Sequence, residues 1–393
     1  MSKKSRAKLW FLVHSWLALP IWVFVLIVCF TGTLAVVSQE IIWLAQPEVR
    51  ASKPSADARL LDFDEVLATV RQQRPDVYIR SVSRPDEDHF ALNVNIGKPD
   101  GSTTRLYVNP YTGHIQGQSA TFDFRQFTRA LHGWWLIPFT NGYSWGWYLV
   151  SFLGLPMLAS LVTGLVVYKR FWKGFFKAPR LRHGARIFWG DLHRLSGVWS
   201  IWFIAVISIT GTWFLIEAVL HDNHIEISAH HEPTILARDA VPHGLPADAV
   251  QRVPIEQAIQ AMKTRVPTLE ATFIDLPGNA YDVLTVGGRS GYPLIFQTAE
   301  MNPYTGQVMA TELIGDLPTL DLVTESMRPL HTGDFGGLWI KLIWFFFGLV
   351  LTLMVFSGLL IWTKRTAMAS VAALKRKPKA ALAHLATTEQ AQP

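Results

Sequence analysis

The chain has 393 residues, half of them hydrophobic and only 17% charged, with 16 Trp and 23 Phe and a mean hydropathy of +0.21. This composition excludes an intrinsically disordered chain and argues against a wholly soluble fold. The single cysteine, Cys29, excludes a disulfide framework, a thiolate zinc site and a cysteine-ligated iron–sulfur cluster within one chain.

Taken in chain order, a basic tail (1–8) leads into a first apolar span (9–37). A long polar segment (38–146) follows, then a second span (147–168), a basic loop (169–190) and a third span (191–216, its apolar part Leu195–Ile216). A second long polar segment (217–337), a fourth span (338–362) and a basic tail (363–393) complete the chain. Each span meets the roughly 20 apolar residues a bilayer requires. The first is longer than a signal-peptide core and lacks a clean small-x-small site, so a retained helix is expected.

Within the first polar segment, Phe63–Gln73 has helical spacing, and Tyr78–Val82, Phe90–Ile96 and Thr103–Val108 alternate as strands. In the second, Ile255–Arg265 is the helix and Ala271–Leu276, Tyr281–Val286 and Leu294–Glu300 are the strands. Both segments carry Asn-Pro-Tyr-Thr-Gly, at Asn109–Gly113 and Asn302–Gly306, which is a turn sequence. Gly287-Gly288-Arg289-Ser290-Gly291 reads as a hairpin between strands, and Asp62 and Asp64 as a solvated helix start.

The landmarks recur. His14 is followed 17 residues later by Thr31-Gly32-Thr33, and His193 17 residues later by Thr210-Gly211-Thr212. The two turns come next, then Leu131-His132-Gly133 and Leu330-His331-Thr332-Gly333. Gly154 and Gly164 finally match Gly348 and Gly358. The chain is therefore expected to be a tandem repeat, each half contributing two spans and one outer α+β domain, with both halves in the same orientation.

Charge orients it. The short segments 1–8, 169–190 and 363–393 hold 17 Lys and Arg against one acid, Glu389, whereas the two long segments hold 17 basic and 28 acidic residues. The positive-inside rule places the short segments and both termini in the cytoplasm and the long segments outside. The net charge of +6 thus marks a membrane face meeting lipid headgroups and not a nucleic-acid partner.

A helix followed by strands and an Asn-Pro-x-Thr-Gly turn resembles a PepSY domain. Leu192–Gly197 (Leu-His-Arg-Leu-Ser-Gly) and Leu330–Gly333 (Leu-His-Thr-Gly) resemble the histidine motifs of PepSY-associated transmembrane proteins. The resemblance extends over about residues 8–365, and within that family it is to inner-membrane ferric-siderophore reductases. It implies a membrane α-helical protein with four transmembrane helices in two tandem repeats and two extracytoplasmic PepSY-like domains. It also implies two b-type haems per chain and reduction of ferric siderophores on the periplasmic side of the bacterial inner membrane. At His14 the motif departs: Val13-His14-Ser15-Trp16 stands where the family has Leu-His-Arg-Trp.

His14 and His193 lie six and seven residues past Lys8 and Arg186, hence at similar depth, roughly 9–10 Å inside the inner boundary. Ionisable groups there point to function. His132 and His331 flank the outer ends of the second and fourth spans. About 30 Å of hydrocarbon separates the two levels, so one haem would pair His14 with His193 and the other His132 with His331. Gly32 and Gly211 fall level with the outer pair, and Gly164 and Gly358 with the inner pair, where a macrocycle needs close approach. Paired neutral histidines and ordinary small-residue helix packing are the structural alternatives. A weaker metal candidate is the loop cluster His221, His224, His230 and His231, for which a solvated polar loop is the alternative.

The cytoplasmic pieces are too small for a flavin or nicotinamide domain, so a quinol or a separate cytoplasmic reductase is the expected electron donor. Arg125, Arg129 and Arg328 lie near the outer histidines, where they could guide an anionic chelate or meet solvent and headgroups. Three other readings stay open: an iron or siderophore permease, a di-haem carrier for another acceptor, and a PepSY module that restrains a protease. The near absence of charge in the spans argues against the permease.

Overall fold

The computed structural model describes residues 3–18, 20–98, 101–225, 234–244 and 253–389. The first half runs α1 (Lys3–Ala18), α2 (Trp22–Val36), α3 (Ser38–Ala45), α4 (Phe63–Gln73), β1 (Tyr78–Ser83), β2 (Leu92–Gly97), β3 (Thr103–Val108), β4 (Ile115–Gln118), α5 (Phe124–Trp134), α6 (Trp145–Phe152) and α7 (Gly154–Val167). The second runs α8 (Ala185–Trp199), α9 (Ile201–Asp222), α10 (Ile255–Arg265), β5 (Glu270–Asp275), β6 (Leu284–Arg289), β7 (Gln297–Met301), β8 (Val308–Glu312), α11 (Thr319–Thr332) and α12 (Gly337–Glu389). The chain forms two compact units. One comprises residues 1–31, 152–209 and 346–393, the other residues 32–151 and 210–345.

Among the described residues, three stretches are long and apolar enough to cross a membrane: Trp145–Val167, Ile201–Asp222 and Gly337–Thr363. A fourth is a broken pair, Leu9–Leu17 and Trp22–Val36, bent by 61°. The expected first span is therefore not one straight helix. Pro20 lies at the break, lacking the N–H that would continue the ladder. The second span also changes element, between α6 and α7, because Pro156 cannot donate to the Phe152 carbonyl. The third begins later than expected. Ser200, with φ −91° and ψ 3°, separates α8 from α9, so His193 lies on α8, one helix before the apolar span.

Among the described residues, the second unit contains one antiparallel sheet of eight strands in the order β4-β3-β2-β1-β5-β6-β7-β8. This corrects the expectation of two separate outer domains. Each half supplies four consecutive strands, and the halves join where Ser81, Val82 and Ser83 of β1 pair with Asp275, Ile274 and Phe273 of β5. One apolar core serves both halves, formed by Phe63, Val66 and Val70 of α4, Ile255, Ile259 and Met262 of α10, and inward residues such as Val82, Val94, Ile274 and Val286. The two helices are also tied by a polar contact. Asp62 caps its own helix α4 in a capping box with Glu65. Asp64 instead accepts from the Ile255 and Glu256 amides, each at 2.9 Å, and caps α10. That helix has Pro254 before it and no cap of its own.

The two Asn-Pro-Tyr-Thr-Gly turns are built alike. Asn109 Oδ1 accepts from the Tyr111 amide and Asn302 Oδ1 from the Tyr304 amide, each at 2.9 Å, and Gly113 and Gly306 close the turns at φ 68° and 74°. Gly287 and Gly288, expected in a hairpin, lie instead inside β6. A Cβ on Gly287 would fall 2.0 Å from the Phe273 ring, so the bare backbone is what lets that ring cross the strand.

Candidate functional site

The first unit brings His14 on α1 and His193 on α8 together, their ring centroids 6.5 Å apart and the planes 67° from parallel. Each ring is anchored through Nδ1. His14 Nδ1 lies 3.0 Å from Thr163 Oγ1, whose own proton goes to the Ala159 carbonyl at 2.8 Å. The imidazole must therefore donate. His193 Nδ1 lies 2.9 Å from the Met354 carbonyl oxygen, which can only accept, and 3.3 Å from Ser357 Oγ. Both rings thus carry the proton on Nδ1, assigned from this network, and keep the Nε2 lone pair for a ligand.

The second unit brings His132 on α5 and His331 on α11 to a centroid separation of 6.0 Å with planes 36° apart. His331 Nδ1 lies 2.7 Å from Thr210 Oγ1, and the Phe214 ring meets the imidazole edge-on at 5.2 Å. Burial, then the neighbouring His132, pushes the His331 imidazole down to about 3, so it is neutral at physiological pH.

The glycines expected at these levels have a more direct role than a cradle. A Cβ on Gly32 would lie 2.6 Å from His132 Cε1, one on Gly164 3.4 Å from His14 Cε1, and one on Gly358 3.2 Å from His193 Cε1. Each makes room for an imidazole ring. Gly211 follows Thr210, the partner of His331. The hydroxyl partners were missed in the sequence although a signal is present. All four glycines are preceded by a hydroxyl residue, as Thr31-Gly32, Thr163-Gly164, Thr210-Gly211 and Ser357-Gly358. A hydroxyl to fix the ring beside a glycine to admit it forms one short device, used repeatedly.

The loop cluster does not assemble among the described residues. His221 Nδ1 is 3.1 Å from Asp222 Oδ1, and His224 takes a left-handed backbone with φ 58°. No group of three His, Cys, Asp or Glu able to hold a metal occurs among the described residues, and His230 and His231 lie outside them.

At these ring separations each pair of imidazoles would offer two nitrogen donors to one metal centre.

The sequence model of the PepSY-associated TM region matches residues 11–365. The chain belongs to this family. Comparison with curated proteins finds no match. With its long apolar helices, this PepSY-associated protein is a multi-pass membrane protein. Its antiparallel sheet with flanking helices fits the α+β part of the family.

Proposed function

We propose that this PepSY-associated protein is a di-haem membrane electron carrier that reduces ferric siderophores, of the ferrioxamine-reductase type, and so releases ferrous iron during uptake. The observation that supports it most is the double pairing of histidines at 6.5 and 6.0 Å, with Nδ1 of His14 and of His193 each engaged in a hydrogen bond and Nε2 left as donor. Two imidazole nitrogens are a donor set suited to haem iron, and the residues present fit the group. His14 with His193 would hold one haem b and His132 with His331 the other. When bound, each would supply a reversible one-electron centre.

What the chain itself contributes is position and tautomer. Thr163 and the Met354 carbonyl hold the inner rings so that their ligating nitrogen is already deprotonated, and Thr210 fixes the orientation of His331. Lack of a Cys-x-x-Cys-His sequence makes non-covalent haem the reading to test. The substrate chemistry is simple. Hydroxamate and catecholate oxygens are hard donors that favour ferric iron, so adding one electron weakens the chelate. The electron would come from a quinol or a separate cytoplasmic reductase. The basic short segments support a cytoplasmic location for both termini in the bacterial inner membrane, with the sheet in the periplasm.

An absorption spectrum and pyridine haemochrome assay on the purified full chain test this. Close to two b-type haems per chain, reoxidised by a ferric siderophore after chemical reduction, is the expected result. Haem-free protein with full reductase activity would overturn it. Two haems that no ferric chelate reoxidises would remove the siderophore and leave only the carrier.

A further inference from the structure

Each outer histidine has an arginine three residues before it on the same helix. Arg129 precedes His132 on α5, and Arg328 precedes His331 on α11. Residues three apart lie on one helical face, a turn from one another. Arg129 and Arg328 are near enough to one another for their charges to interact. We propose that Arg129 and Arg328 form a carboxylate-binding pair that receives the two propionates of a haem held between His132 and His331. This rests on the haem reading given above.

Three observations support it. Neither guanidinium makes a hydrogen bond or ion pair among the described residues, although arginine carries five donors in a fork suited to carboxylates. Like charge is concentrated there: partial withdrawal from water, then Arg125 and Arg328, hold Arg129 below the usual arginine range. The two acids that favour the Arg129 charge are already engaged. Asp123 pairs with Arg105 at 3.6 Å and caps α5, and Asp334 pairs with Arg289 at 3.4 Å. Glu217 and Glu325 lie on the side of Arg328, and Glu217 offsets part of its charge. Three arginines stand against these two acids, so positive charge is in excess there and a carboxylate would offset it. The inner histidines have no arginine three residues before them. Phe11 and Gly190 stand at the corresponding positions.

Haem and its dimethyl ester, whose propionates are uncharged, separate the possibilities. Both are titrated into full-length protein from haem-starved cells, in a His193→Ala background that isolates the outer pair. The unaltered arginines should prefer haem over the ester by roughly 10- to 100-fold, as expected for charge-assisted hydrogen bonds. R129Q with R328Q should lose that preference by binding haem more weakly while binding the ester as before. R129K with R328K should restore part of it, since a point charge remains without the fork. Equal binding of haem and ester to the unaltered pair overturns the inference, and so does a preference that survives in the double glutamine variant. If neither porphyrin binds, or if binding persists when His132 and His331 are both replaced, the underlying haem reading fails instead.

Discussion

The Nδ1 nitrogen of His193 lies 2.9 Å from the main-chain oxygen of Met354. A carbonyl has no proton to give, so this contact decides which imidazole nitrogen is free, and no side-chain substitution at Met354 removes it. His14 reaches the same protonation through a replaceable group, the Thr163 hydroxyl. The two inner ligands can therefore be perturbed unequally.

Thr163→Val deletes the side-chain partner of His14 and leaves its backbone contact with Ser160. Inner-haem affinity should fall by about 10- to 100-fold, the usual effect of removing the group that orients a ligating histidine. Haem titration in a His331→Ala background reads this directly. An unchanged affinity would show that the Thr163 hydroxyl is not what orients His14.

Histidine replacements should sort into two classes. His14→Ala and His193→Ala should each lower haem content from two per chain to one, with identical residual spectra. His132→Ala and His331→Ala should also leave one haem, with the complementary spectrum. If His14→Ala and His331→Ala left the same spectrum, the pairing by centroid distance would be wrong.

The glycine series has a predicted order. Gly32→Ala places a methyl 2.6 Å from His132, Gly358→Ala 3.2 Å from His193, and Gly164→Ala 3.4 Å from His14. Overpacking costs about 1–3 kcal/mol, so Gly32→Ala should lose the outer haem selectively, Gly358→Ala should weaken the inner one, and Gly164→Ala should be nearly silent. Haem content after size-exclusion chromatography checks the ranking.

Acid should undo a specific clasp in the basic loop. Hydrogen bonding to Arg180, with further help from Arg194, holds the Asp191 carboxyl well below the usual carboxylate range. A depressed folded pKa stabilises the fold above the unfolded value of about 3.9, and the contribution is lost as pH falls through the folded value. Asp191→Asn should therefore lower the unfolding temperature at pH 7. The gap to the parent should begin to close only below about pH 4. A gap that is constant with pH would assign the effect to packing.

Exposed aromatics on the sheet unit give a test of substrate docking. Tyr281 and Tyr292 flank β6 and are 43% and 45% exposed, enough for substitution without disturbing the core. Tyr281→Ser with Tyr292→Ser should slow reduction of a bulky ferric siderophore and spare haem content and a small artificial acceptor. Equal slowing of both acceptors would confine the sheet to a supporting role. Removing the whole β6–β7 hairpin would be uninformative, because both strands lie inside the sheet.

Much of this architecture was legible where a local pattern carries it. Helices α4 and α10 coincide with the amphipathic stretches Phe63–Gln73 and Ile255–Arg265, because strong apolar periodicity and abrupt ends leave little freedom. The short strands β4 and β8 escaped, being only four and five residues beyond a turn. Hydropathy integrates over a window, so it detected the apolar segments but not the breaks at Pro20 and Ser200. The histidine pairs could be proposed from repeat spacing. The groups that orient them could not, since the Met354 partner is main chain and carries no side-chain signature. Nor could the union of two four-stranded halves, for pairing of β1 with β5 joins strands that are far apart in the chain.

That seam has a consequence for biosynthesis. Ser81 must wait for Asp275, 194 positions later, before its strand is paired on both sides. At 5–20 residues per second the ribosome needs roughly 10–40 s to make the intervening chain. Throughout that interval β1 is an unpaired edge beside an apolar core that lacks half of its wall. A nascent first half is thus open to pairing with the first half of another newly made chain. Splitting the gene between the halves should yield two aggregation-prone fragments, rescued when both are made together.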